Sequence, residues 1–179
     1  MNPQQIAFLK KVIPAAQACE QATGIPACVT IAQSIFESAT AAGWGTSSLF
    51  TQANNPFGIQ YHHLQDGAEG YGEFDVESWE VENGQRVNQM EKFQKYPDLA
   101  AAFADHGRLL QTPRYAPAYS LIPDWRGFAV ALGPKESPTD KQHAGYSTNP
   151  GYGPSLINAV NIYKLDDPTT LAAYMAQPG

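Results

Sequence analysis

Charge is scarce in this chain. Asp, Glu, Lys and Arg make up 16% of its 179 residues, and the 11 basic ones stand singly or in pairs such as Lys10-Lys11. A protein that tracks nucleic acid needs clustered Lys and Arg to displace counterions from phosphates, so nucleic acid is excluded as a partner. The formal net charge of −6 gives no long-range attraction to any acidic polymer either, and recognition of one must be short-range. Long apolar runs are also missing. Nothing approaches the roughly 18 consecutive apolar residues of a membrane-spanning helix. The opening Met1-Asn2-Pro3-Gln4-Gln5 lacks the basic and apolar regions of a signal peptide, and none is expected in it.

Cysteine is down to two residues, Cys19 and Cys28. Neither they nor the four histidines fall at metal-ligand spacing, so no metal and no cofactor is expected. His62-His63 reads as a loop pair, His106 as a helix histidine, and His143 has no obvious partner. The cysteines fit two readings. They are either buried thiols acting as small hydrophobes, or a disulfide closing a short loop at a gain of about 2–3 kcal/mol. No G-x-S-x-G elbow accompanies the Asp105-His106 pair, which excludes an ordinary serine hydrolase.

Aromatics, by contrast, are plentiful: nine Tyr, eight Phe and three Trp. Their faces pack cores and also stack on sugar rings. Asn2-Pro3 is a cap followed by proline at the first helical position, and Ile6, Leu9, Ile13 and Ala16 recur at helical spacing. A helix is therefore expected over 3–22, bent at Pro14 and ended by Gly24. A second starts at Pro26, buries Val29, Ala32, Ile35 and Phe36, and stops at Gly43. A short one follows over 47–53. From about 71 to 96 the pattern turns to strand, with Asn83-Gly84 as a hairpin turn. Helical spacing returns at 98–111, 125–132, 154–163 and 169–176. The expectation is one α+β domain over 1–179, mostly helical, with a β-hairpin lobe at about 68–96.

Glu37 is the residue that calls for an explanation. No charged residue other than itself lies between Glu20 and Asp66. A carboxyl beside Ile35 and Phe36 without a countercharge should have a raised pKa, because desolvation penalises the ionised form. A glycosidase keeps its acid protonated at working pH in this way.

The run Ile25-Pro26-Ala27-Cys28-Val29-Thr30-Ile31-Ala32-Gln33-Ser34-Ile35-Phe36-Glu37-Ser38 resembles the G-I-P-x-S-V-x-I-A-Q-A-x-L-E-S-G-W-G signature of bacterial peptidoglycan glucosaminidases. These form glycoside hydrolase family seventy-three, which includes flagellar rod-type hydrolases and autolysins. Gly43-Trp44-Gly45-Thr46-Ser47 is similar to its G-W-G-x-S, Asn54-Asn55-Pro56-Phe57-Gly58-Ile59-Gln60 to N-N-L-F-G-I-K, and Gly145-Tyr146-Ser147-Thr148-Asn149-Pro150 to G-Y-A-T-D-P. The resemblance implies a lysozyme-like fold with a β-lobe and assigns the general-acid role to Glu37. It implies substrate contacts at Trp44, Asn55, Phe57, Gln60 and Tyr152. It also implies that Tyr146 orients the substrate's acetamido group, which can itself act as nucleophile. In relatives a β-lobe Glu lies four residues before the turn Gly, with a Phe nine after it. Gly84 and Phe93 keep that spacing and point to Glu80, with Glu77 and Glu82 as competitors.

The departure from the signature is Ala39-Thr40-Ala41-Ala42, inserted between Glu37-Ser38 and Gly43-Trp44-Gly45. Four residues are about one helical turn, so a longer helix is expected. Trp44 is then divided between sugar stacking and core packing. The family implies an endo-β-N-acetylglucosaminidase acting on peptidoglycan strands as a monomer, secreted, periplasmic or wall-associated. A muramidase or lytic transglycosylase, and a non-catalytic wall-binding module, are the competing readings.

Overall fold

The structure, a computed structural model, describes residues 1–82, 85–137 and 139–177, with side chains described at all of these except 78–82 and 85–87. The helices are α1 (Pro3–Thr23), α2 (Ala27–Ser38), α3 (Ser48–Ala53), α4 (Leu99–Leu110), α5 (Ala116–Tyr119), α6 (Trp125–Ala131), α7 (Tyr152–Tyr163) and α8 (Pro168–Ala176). Between α3 and α4 stand β1 (Gly72–Glu82) and β2 (Gln85–Lys95), paired antiparallel from Gly72↔Lys95 to Glu82↔Gln85. The expected turn at Asn83-Gly84 lies outside the described residues. The α+β reading holds: helices enclose the core, and one hairpin stands out from them. A 3₁₀ turn at Pro113–Tyr115 and α5 fill a stretch in which periodicity marks no element.

Local signals explain how α1 and α2 are set. Asn2 accepts from the Gln5 N–H while the Gln5 side chain accepts from the Asn2 N–H, a reciprocal cap. α1 continues through Pro14 and closes on Gly24 in the left-handed region at φ 77°. Pro26 offers α2 no side-chain cap. The Glu20 carboxylate takes that place, accepting the Ala27 N–H at 3.1 Å where the helix dipole favours negative charge.

α2 is the central element, packed on α1, α6 and α7. Ten of its 12 residues are buried. Its buried hydroxyls bond back along the helix, Thr30 to the Ala27 carbonyl and Ser34 to that of Ile31. They therefore enter the core without orphaned donors. Around α2 lie Leu9, Val12 and Ile13 of α1, Phe103 and Leu110 of α4, Phe128 of α6, and Leu156 and Val160 of α7.

Two expectations fail here. The inserted Ala39–Ala42 segment does not lengthen α2, which stops at Ser38. The Ser38 carbonyl accepts from both Thr46 and Ser47 N–H groups at 3.1 Å, while Thr40 and Gly43 exchange backbone bonds in a tight turn. The reversal brings Gly45 onto Phe8, where a Cβ would lie 2.4 Å from the ring, so the chain has to fold back here and only glycine fits. The disulfide also gives way to its alternative, since Cys19 and Cys28 are both free and buried. Cys19 faces α4, lying against Gly107 and Thr23. Cys28, at the start of α2, lines a cavity with Leu165, Asp166 and Leu171. The two thiols thus face different elements, and burial pushes the Cys28 thiol up to about 12, an inert state.

Candidate active site

Gln33 and Glu37 are four apart on α2 and so share one face. The first residue of α7, Tyr152, comes down onto that face. Its hydroxyl donates to Glu37 Oε1 at 2.8 Å and accepts from Gln33 Nε2 at 3.1 Å. The close approach of α7 to α6 allows this. At Gly153 a Cβ would lie 2.8 Å from the Ala129 carbonyl oxygen, so any larger residue would push α7 and its tyrosine away.

The Glu37 residue opens to solvent, yet its carboxyl end is tucked against protein. Desolvation there raises its pKa, and the Tyr152 hydrogen bond pulls the other way. Its place in the last turn of α2 opposes ionisation in the same sense as burial. Phe36 is not the cause, since it is itself exposed. Burial, reinforced by the neighbouring Glu37 carboxyl and the hydrogen bond to it, holds the Tyr152 phenol far above its ordinary pKa, so it is a permanent donor. A donor fixed on Oε1 leaves Oε2 outside that bond.

Tyr146 forms the next layer. Its ring stacks on Tyr152 at 5.7 Å between centroids, and Tyr115 and His106 close in at 5.9 and 5.7 Å. The segment carrying it is clamped to the end of α6 by bonds from the Ala144, Gly145 and Tyr146 N–H groups to the carbonyls of Ala131, Gly133 and Leu132. Beneath it His106 is fully buried, face to face with Phe57 at 3.8 Å. Desolvation drops its pKa to about 3, and it remains neutral.

Residues 13–165 match the glucosaminidase family, described as mannosyl-glycoprotein endo-beta-N-acetylglucosaminidase. The chain belongs to the glucosaminidase family. It is 29% identical over 177 residues to the exo-glucosaminidase LytG of Bacillus subtilis, covering 93% of this chain and 54% of LytG. It is 30% identical to the peptidoglycan hydrolase FlgJ of Salmonella typhimurium over 163 residues, 88% of this chain and 46% of FlgJ. The chain thus spans about half the length of these curated relatives. Among solved structures, a peptidoglycan hydrolase mutant from Sphingomonas sp. A1 is 28% identical with a TM-score of 0.65, covering 94% of this chain and 99% of that one. The catalytic domain of the autolysin Auto from Listeria monocytogenes shares the fold at a TM-score of 0.72 and 20% identity, covering 92% and 87%.

The glucosaminidase motifs scatter once they are folded. Tyr152, expected as a substrate contact, is the phenol bonded to Glu37, whereas Tyr146 has no hydrogen bond to the acid and packs behind it. Trp44 is set edge-on against Phe8 and Tyr163 at 6.1 and 4.8 Å, which is core packing rather than a free sugar-stacking face. Asn55 is buried, and its amide is used up: Nδ2 donates to the Ile59 and Gln94 carbonyls and Oδ1 accepts the Ile59 N–H. It pins the 55–60 loop to β2 and has nothing left for substrate. Phe57 is a core residue, wedged between His106 and Phe103. Gln60 is exposed, bridges Phe93 through its backbone, and borders a cavity of about 540 Å³ with His62, Asp105 and Arg108. In that cavity the buried Asp105 carboxylate accepts the Tyr96 hydroxyl and lies 3.2 Å from His62 Nε2.

The carboxylates of the hairpin remain divided. Glu80 pairs with Val87 and Glu82 with Gln85 in the strand register, and both side chains lie outside the described residues. Glu77 is exposed and accepts from Asn88 Nδ2 at 3.1 Å, a surface pairing. His143 gains the partner its sequence context does not reveal, with Nδ1 2.8 Å from Asp140. Gln33 escapes notice in the sequence because it sits in the middle of a signature run. The usable signal is a buried amide side chain one turn before Glu37, on the same face of the helix. Among the described residues no three His, Cys, Asp or Glu gather as a metal group.

The Tyr152 hydroxyl holds Glu37's pKa down from where burial alone would put it. Tyr152→Phe should therefore move the alkaline limb of the kcat/KM profile to higher pH, because activity needs the protonated acid. The plateau should fall about tenfold, the range of one hydrogen bond to a charged group. Tyr146→Phe should do less. A pH–rate profile of both variants decides, and a limb that stays or moves down would overturn the assignment.

Proposed function

We propose that the chain, acting as one catalytic domain, is an endo-β-N-acetylglucosaminidase that hydrolyses the β-1,4 bond between N-acetylglucosamine and N-acetylmuramic acid in peptidoglycan. The observation that carries this reading is Glu37, a carboxyl of raised pKa whose Oε1 is held by Tyr152, at the acid position of the family signature. Glu37 protonates the glycosidic oxygen through Oε2 as the C–O bond breaks, and the sugar left behind develops oxocarbenium character. The substrate's own acetamido carbonyl, with Tyr146 as the residue proposed to orient it, is the internal nucleophile. Water then opens the resulting ring, returning a proton to Glu37. On its spacing to Gly84 and Phe93, Glu80 is the carboxylate proposed to assist that water, with Glu77 and Glu82 as its competitors. The names of LytG and FlgJ, an exo-glucosaminidase and a peptidoglycan hydrolase, support the bond type and the polymer.

No helix is long and apolar enough to cross a membrane among the described residues. The enzyme works as a monomer on the wall, outside the cytoplasmic membrane. Mass spectrometry of digested wall tests the reading through the new reducing end. N-acetylglucosamine ends in products of many lengths support it. N-acetylmuramic acid ends would indicate a muramidase, anhydro ends a lytic transglycosylase, and disaccharides alone an exo-acting enzyme.

A further inference from the structure

Beside the acid, but not part of its hydrogen-bonded group, lies a cavity of about 520 Å³ lined by Arg114, Pro134, Lys135, Gly145, Ser147 and Thr148. Its position follows from the packing already described. Gly145 and Ser147 flank Tyr146 in the chain, and Tyr146 stacks on the tyrosine that holds Glu37. Arg114 precedes Tyr115, whose ring packs on Tyr146, and its guanidinium lies over that ring at 5.3 Å. One guanidinium nitrogen donates to the Gly145 carbonyl, which aims the fork, and among the described residues its other N–H groups have no partner. Lys135 lays its stem on Gly145, whose φ is +65° and whose Cβ position is 3.3 Å from Lys135 Cγ.

Two cations therefore line a cavity in which no lining residue is acidic. Among the described residues neither has a carboxylate within 4.0 Å, whereas Lys92 and Arg108 are each paired. In a chain with a net charge of −6, such a place is a local reversal of sign. An arginine fork with a lysine point charge is the donor set that takes a carboxylate.

We propose that this cavity is a subsite for a carboxylate carried on the muramic-acid residues of the glycan, engaged while the neighbouring glycosidic bond lies at Glu37. The inference rests on the wall glycan being the substrate. It adds that substrate choice is made by charge at Arg114 and Lys135, not by the sugar ring alone. The carboxylate has two sources, the peptide stem or the bare lactyl group left when the stem is removed.

Three substrates separate them: stem-bearing glycan strands, strands stripped of stems by an amidase, and uncharged chitooligosaccharide. The readout is the ratio of kcat/KM on each charged strand to that on chitooligosaccharide, in which general damage to the cleft cancels. Lys135→Gln and Arg114→Gln should each lower the ratio about threefold and together about tenfold, through KM. Lys135→Arg should retain it, and added salt should lower it in the wild type only. A drop confined to stem-bearing strands assigns the stem carboxylate, and a drop confined to stripped strands assigns the lactyl group, whose carboxyl is an uncharged amide while the stem is attached. An unchanged ratio, or equal losses on all three substrates, overturns the subsite. Titration of soluble disaccharides, one bearing the stem and one with a free lactyl group, into Glu37→Gln protein, with and without Lys135→Gln, reads binding without turnover. If the wild type cleaves none of the strands while Lys135→Gln still weakens this binding about threefold, the proposed activity fails and the subsite stands. If binding is untouched, the subsite fails whatever the activity.

Discussion

Glu37→Gln should lower kcat by about 10² to 10⁴, the usual worth of a positioned general acid, while leaving KM and the melting temperature close to those of the wild type. The amide keeps the shape of the side chain, and its carbonyl oxygen can still accept the Tyr152 hydroxyl that reaches Oε1 at 2.8 Å. It has no proton to give. The residue makes no ion pair among the described residues, so little stability should be lost with its charge. The raised pKa of Glu37 also sets the sign of the pH response. The active form is the protonated one, so wild-type activity falls as pH rises through that pKa, above the ordinary carboxylate range. In Glu37→Gln the residual activity should lose this alkaline limb. Turnover within about threefold of wild type, from protein shown to be folded, would remove Glu37 from the mechanism.

Phe57→Ala should cost about 3–5 kcal/mol of folding stability, the range for removing a buried aromatic ring. Phe57 is 4% exposed, stacked on His106 and edge-on to Phe103. Its loss opens a void between the 55–60 loop and α4, and strips His106 of the surface it lies on. Against a total of about 5–15 kcal/mol for an ordinary domain, that brings the protein close to unfolding. Denaturant melts measure the loss directly. At a temperature where the variant is folded, KM should be near that of the wild type. A loss below about 1 kcal/mol accompanied by a large rise in KM would mean that the ring binds sugar after all.

The contrast between these two residues shows what could be read from the chain and what could not. Both sit in family motifs, and the motif alone made each of them a candidate for the site. Glu37 is the one proposed to do chemistry there, and its isolation from countercharge is visible in the sequence. Phe57 and Asn55 do something else in this structure: one fills the core and the other spends its amide on backbone groups of the loop and β2. A linear pattern does not distinguish a residue kept for packing from one kept for chemistry. Tyr146 and Tyr152 are separated by six positions, and only the start of α7 at Tyr152 decides which phenol meets the acid.

Helix boundaries were legible where a local signal sets them. Asn2-Pro3 and Gly24 bracket α1, and Asp98 and Asp167 cap α4 and α8 through their side chains. The end of α2 was not legible, because Ala39, Ala41 and Ala42 are good helix formers and nothing local stops them. The stop comes from afar, from the two N–H groups of Thr46 and Ser47 on the Ser38 carbonyl and from Phe8 beneath Gly45. Arg114 and Lys135 had no signal at all. They stand 21 positions apart and meet because the backbone of 144–146 is laced to the end of α6.

The burial of α2 has a consequence for how such a domain can be changed. With ten of its 12 residues enclosed, almost every substitution along it is a packing fault before it is a change of chemistry. The rod that carries Glu37 is the part least free to vary. Redirecting the domain to a glycan with different decoration, by breeding or by design, has its freedom on the surface instead, in the hairpin and around the 144–148 segment. Tools for dismantling one kind of wall and sparing another should be sought there.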